Sequence, residues 1–177
     1  MKKTKFIKFA TLITVFAMLV GVMAGVSFVA NAEEAAESTG YKVEMKNLVY
    51  ADYFHIALTV SDAPVEGDKG IAVFAYGESA ETADAPLYVT YTELTDAKVG
   101  EYYVTQAVAA RDIDVKYTYY PVVLQENGEI FYGDAYNYSV VDYCNERIEN
   151  DAPTGAQLTL YNAVIAYGKA AGAVLGN

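Results

Sequence analysis

The chain has no tryptophan, one cysteine, one histidine and four prolines among its 177 residues. Each scarcity excludes something. The lone Cys144 forbids an internal disulfide, so burial alone must hold the fold. One His and one Cys fall short of the three or four ligands of a zinc site. A Ser or Cys hydrolase would have only His55 as its base, and no Gly-x-Ser-x-Gly elbow is present. Without Trp there is no indole for sugar stacking. No Gly-rich phosphate loop or nucleotide motif occurs. Basic residues are few as well, 12 Lys+Arg against 23 Asp+Glu. An excess this acidic argues against nucleic acid, whose phosphates need Lys and Arg.

The acidic residues that are present form no distinctive site. A glycosidase needs two carboxylates and a groove, but no pair here stands in a marked apolar context. Asp112-x-Asp114 offers two carboxylates in a turn, well short of the oxygen shell of Ca²⁺. We therefore expect no catalytic, cofactor-binding or metal-ligating residue and no enzyme; a secreted hydrolase is the weakest of three readings. Cys144 falls on an apolar helix face and reads as a small core residue.

Four of the basic residues, Lys2, Lys3, Lys5 and Lys8, stand at the start. Phe9 to Val22 is apolar, and Ala30-Asn31-Ala32 has the small-x-small form of a signal-peptidase site. Residues 1–32 are thus expected to be a signal peptide, with an uncleaved anchor as the alternative, because Phe6 to Val29 is nearly long enough to span a membrane. Cleavage after Ala32 leaves residues 33–177, in which eight basic residues face 23 acidic ones, a formal charge of −15. The expected location is secreted or cell-surface, with no membrane contact after cleavage. Glu33 to Thr39 reads as a flexible lead-in.

From Gly40 onward strands dominate. Tyr41–Tyr50 alternates with Val43, Met45 and Leu48 toward the core. Phe54, Ile56, Leu58 and Val60 share one face of Tyr53–Val60, with His55 on the other. Further strands are expected at Gly70–Tyr76, Leu87–Leu94, Glu101–Ala109, Val115–Gln125 and Glu129–Tyr136. Asn127-Gly128 signals a type I′ hairpin. About seven antiparallel strands predict a mainly β fold, an immunoglobulin-like β-sandwich over residues 40–138.

Residues 139–177 read as a two-helix hairpin packed on that sandwich. Ser139 with Asp142 has the form of a capping box, and Thr154 with Gln157 of a second. Asn150-Asp151-Ala152-Pro153 separates the helices. The second helix has two apolar stripes: Leu158, Tyr161, Ile165, Gly168, Gly172, Leu175, and Leu160, Val164, Tyr167, Ala171, Val174. So broad a face suits a helix packed on two sides or one that leaves a patch for a partner. A Gly in a helix costs about 1 kcal/mol relative to Ala, so Gly168 and Gly172 predict a close packing contact.

The 17 Tyr residues are the most unusual component. Tyr joins a flat apolar face to a polar tip, which suits sugars and protein partners, and is also a favoured strand filler. The possible binding face is Tyr53, His55, Tyr88, Tyr103 and Tyr119.

Val108 through Tyr117 to Tyr132 is similar to the end of a fibronectin type III or other immunoglobulin-like domain. There a corner Tyr bonds back to backbone, a role for which Tyr117 is the candidate. Tyr138-Ser139-Val140, Asp142-Tyr143, Leu160, Tyr161, Val164, Tyr167-Gly168 and Ala170-Ala171 extend the likeness. With Val108-Ala109-Ala110 and Asp112-Ile113, they make Gly100 to Ala171 resemble a module of uncharacterised exported proteins of clostridia and related gut Firmicutes. Cys144 departs from the Ala frequent there, and Leu158 to Ile165 is less Leu-rich. The resemblance implies a bacterial extracellular module and supplies no activity. The expected function is a non-enzymatic module that binds a protein or glycan at or near the cell surface. The alternative is a structural or assembly protein whose helical hairpin docks a partner chain.

Overall fold

Alternating apolar residues build two antiparallel sheets, followed directly by two helices. The computed structural model describes residues 38–50, 52–97 and 100–175. The leader expected at 1–32 and residues 33–37 of the lead-in lie outside these. The strands are β1 (Val43–Tyr50), β2 (Phe54–Val60), β3 (Asp68–Ala75), β4 (Tyr88–Thr90), β5 (Glu93–Asp96), β6 (Gly100–Val104), β7 (Tyr117–Leu124), β8 (Ile130–Tyr132) and β9 (Tyr136–Tyr138). One sheet runs β1-β2-β6-β5 and the other β4-β3-β7-β8, with β9 also on β7. The helices are α1 (Val140–Asp151) and α2 (Ala156–Leu175).

Several expectations need correction. The single strand expected at Leu87–Leu94 is two: β4 pairs with β3 in one sheet and β5 with β6 in the other. Tyr91 and Thr92 carry the chain across. The strand expected at Glu129–Tyr136 is also two, β8 and β9, which follow one another along β7. The hairpin at Asn127-Gly128 exists, but Gly128 has φ +84° and Asn127 is not left-handed. Gly128 N–H donates to the Gln125 carbonyl at 2.9 Å. This is a type I turn followed by a left-handed Gly, not a type I′ turn.

In β1 the register slips between Val43 and Met45. An extra residue reverses the side-chain phase beyond it. Met45 therefore faces outward and is exposed, contrary to expectation, while Leu48 stays in the core.

One core serves both sheets and both helices. Leu48, Ile56, Leu58, Ile71, Val73, Tyr103, Tyr119 and Tyr138 pack together with Ile113 and with Val140, Tyr143, Cys144, Tyr161 and Val164 of the helices. A smaller cluster, Ala72, Phe74 and Val122 under Tyr120 and Tyr132, lies apart from it. All of these residues fall in one compact unit, Glu37–Asn177.

Ser139 and Asp142 form the predicted capping box of α1. The chain then turns at Ala152, in left-handed conformation at φ +44°. No Thr154–Gln157 capping pair forms: α2 starts after Gly155, whose carbonyl accepts the Thr159 N–H at 3.1 Å and its hydroxyl at 3.0 Å. The packing role predicted for Gly168 is present. A Cβ there would stand 2.7 Å from Cγ1 of the buried Ile113. Gly172 is less confined: its Cβ would meet an Asp114 carboxylate oxygen at 3.4 Å.

Gly133 divides β8 from β9 and holds the N-terminal end of the fold. Its N–H donates to the Pro121 carbonyl at 2.7 Å, and Asp134 N–H to the Tyr41 carbonyl at 2.8 Å. The Asp134 carboxylate accepts from the Ser38 hydroxyl at 2.7 Å and Thr39 N–H at 2.7 Å. A Cβ on Gly133 would collide with the Tyr41 carbonyl, a backbone atom. Overpacking and the loss of one buried hydrogen bond together predict that Gly133→Ala costs about 3 kcal/mol. The thermal midpoint should fall by about 10 °C. An unchanged midpoint would mean that β1 is not fastened there.

Candidate functional site

The five residues expected to form a binding face do not form one. Tyr103 and Tyr119 are core residues, 2 % and 0 % exposed. Their alternation was legible, but which face met the second sheet was not. The Tyr103 hydroxyl donates to Glu93 at 2.8 Å, and the Tyr119 hydroxyl is buried without a partner. Tyr88 also packs against the core, from the same sheet as Tyr119. Only Tyr53, 57 % exposed, and the half-buried His55 reach the surface together. The Tyr117 hydroxyl makes no hydrogen bond among the described residues, so the backbone tether expected of it is not formed.

His55 is fixed by the fold. Its Nδ1 N–H donates to the Thr105 carbonyl at 2.9 Å. Among the described residues no hydroxyl, thiol or carboxylate is hydrogen-bonded to the ring. Cys144 is fully buried, and burial pushes its thiol up to about 11. A thiol held protonated is a poor nucleophile. Among the described residues no three His, Cys, Asp or Glu side chains gather as a metal site. Asp112 pairs with Arg111 at 3.3 Å.

The region with the most varied chemistry is a groove of about 280 Å³ on the outer face of the β1-β2-β6-β5 sheet. Met45, Asn47 and Val49 line it from β1, Ala57 and Thr59 from β2, Asp96 from β5 and Tyr102 from β6. Asn47 stands opposite Ala57, and Met45 opposite Thr59. Ala57 makes a floor only 5 % exposed. The Asn47 Oδ1 accepts from Leu48 N–H at 2.9 Å and the Tyr143 hydroxyl at 3.1 Å. That fixes the amide orientation and leaves its NH₂ to donate outward. An aromatic ring, an apolar floor and an amide donor can take a sugar ring or an extended peptide.

A second cluster lies where α1 meets β1. Lys46 Nζ sits 4.9 Å from the ring centres of both Tyr136 and Tyr138. It donates to the Tyr136 hydroxyl at 2.7 Å and pairs with Glu146 at 3.1 Å. Tyr138 also donates to Glu146, at 2.8 Å. Burial pulls the Lys46 pKa down, but the bonds to Tyr136 and Glu146 outweigh it and the ammonium is held above its ordinary value. Arg147 donates to the Lys46 carbonyl at 3.1 Å and to Asp151 at 3.0 Å, and lies over the Tyr143 ring. These charges are committed to joining helix and strand.

A third recess, about 300 Å³, is lined by Asp68, Glu93 and Glu101 with Lys69, Tyr91 and Tyr103. Glu93 is already engaged by Tyr103. Among the described residues no helix is long and apolar enough to cross a membrane.

Comparison with protein-family models, curated proteins and solved structures finds no match. The groove residues were missed in the sequence because the β1 bulge reverses the phase that points Met45 and Asn47 outward.

Proposed function

We propose that this chain is an exported, non-enzymatic binding module of immunoglobulin-like sandwich architecture. It takes a glycan or protein ligand at or near the bacterial cell surface. The strand orders support the architecture. Lettered in chain order, β1 to β8 read A, B, C, C′, D, E, F and G, and the sheets become ABED and C′CFG. The basic start, apolar run and Ala30-Asn31-Ala32 support export.

The groove bearing Tyr102 and Asn47 carries the binding reading. Its aromatic ring and amide donor border an apolar floor, which suits recognition of a ring or an extended chain. The test is co-sedimentation of the mature chain with cell-wall polysaccharides, together with a glycan and peptide array. Losing ring stacking is worth about 1 kcal/mol or slightly more, so Tyr102→Ala should weaken binding about tenfold. Asn47→Ala should act in the same direction. No binding to any of these, or binding that both variants retain in full, would sink the reading.

The assembly reading has its own support. Leu160, Tyr167 and Val174 of α2 remain exposed, whereas Tyr161, Gly168 and Gly172 of that helix are buried.

A further inference from the structure

The outer face of α2 carries Ala156, Leu160, Ala163, Tyr167, Ala170 and Val174, all exposed. Their spacing alternates four and three, the period of a helix–helix seam. Leu160 is 44 % exposed, Tyr167 55 % and Val174 83 %. The opposite face, with Tyr161, Val164 and Gly168, is spent on the core. Apolar residues at seam spacing have no role in the fold as it stands.

We propose that this stripe is a dimer seam that pairs antiparallel with the same stripe of a second copy of this chain. The pattern is complementary to itself in that orientation. A two-fold axis beside Ile165 sets Leu160 opposite the partner's Ala170, Tyr167 opposite the partner's Ala163, and Val174 opposite the partner's Ala156. Every large side chain then meets a methyl group, and the contact is isologous and closes on two chains. A parallel pair would stack Tyr on Tyr and Ala on Ala, with alternate layers crowded and empty.

Charge points to the same occupant. Lys169 is the one charged residue in the 20 of α2, within a chain that holds 23 acids. Two copies of so acidic a protein repel one another over most of their surface. Along this helix they meet with no carboxylate facing another. The seam is about 30 Å long. A pair of helices of that length lies at the low end of the roughly 1,200 Å² that a specific interface buries. The dimer is therefore weak, with dissociation in the micromolar range. This assignment rests on the assembly reading and is independent of the groove.

Sedimentation equilibrium of the mature chain from Glu33, which carries the whole described fold, should show a monomer–dimer equilibrium. Leu160→Glu and Tyr167→Glu each bury an unpaired charge and should weaken the dimer at least ~100-fold. Both sites are exposed in the monomer, so circular dichroism and groove binding should be unchanged. Orientation is read from Ala156→Cys and Val174→Cys, about 27 Å apart along the helix. Oxidation of the mixture should give the mixed disulfide, with little of either homodimer. Homodisulfides from each variant alone would overturn the antiparallel seam. A chain that stays monomeric to millimolar concentration would overturn the proposal and leave the stripe to a different partner.

Discussion

Ending the chain at Tyr138 should abolish the cooperative fold and leave a soluble fraction that aggregates. The removed helices supply Val140, Tyr143, Cys144, Tyr161 and Val164 to the core that also contains Leu48, Ile56 and Tyr119. Burying a side chain of this size contributes about 1.5–3 kcal/mol, so five of them rival the whole stability of a typical domain, about 5–15 kcal/mol. Truncation also uncovers Ile113, fully buried under Gly168, and releases Arg147 from the Lys46 carbonyl at the edge of β1. A bare strand edge beside exposed apolar surface is an aggregation template. Size-exclusion chromatography, dye binding and thermal melting would measure the change. A truncated chain as soluble and stable as the whole would make the hairpin a separable arm.

Alkali should unfold the protein in one step soon above pH 10. Burial raises the pKa of Tyr41 to about 12, with Glu93 adding to it. Burial raises Tyr103, Tyr119 and Tyr138 further, helped at Tyr103 by the bond to Glu93 and at Tyr138 by the bond to Glu146. A folded-state pKa above the unfolded one stabilises the protein fully below the unfolded value, near 10. That stabilisation is lost as pH climbs toward the folded value. Each pH unit above 10 costs about 1.4 kcal/mol for every tyrosine kept protonated. Four such groups exhaust an ordinary stability within about two units. Lys46, held above its ordinary value, adds in the same direction. Phenolate absorbance should rise in two phases, of which only the second accompanies unfolding. A buried set should then ionise together with the loss of circular dichroism. A smooth titration of all 17 near pH 10 with the dichroism intact would refute it.

Much of this was legible because side-chain periodicity reports on local structure. The alternation of Phe54, Ile56, Leu58 and Val60 gave β2 its inward face, and the Ser139–Asp142 pair marked the start of α1. Gly168 announced a close contact through its helix cost, and Ile113 provides it. What failed was non-local. The slip between Val43 and Met45 leaves no sign in composition, yet it decides which β1 side chains meet the groove. Leu87–Leu94 alternates well enough for one strand, and only pairing with β3 and β6 divides it between sheets. Tyr103 and Tyr119 look the same as surface tyrosines, since the residue suits either side of a pleat. The broad apolar face of α2 was legible, but only the packing divides it into a spent stripe and an open one.

The bonds between α1 and β1 also set a sequence of events. Lys46 waits for Glu146, and its carbonyl for Arg147, residues 100 and 101 positions later. For a chain that emerges N-terminus first, the earliest strand gains its last neighbour only when nearly everything else is out. Closure of so long a loop cannot be brought forward by local structure. Threaded through a narrow pore, such a chain would carry no finished core to block its own passage. The same delay leaves β1 open to a holding chaperone until α1 arrives.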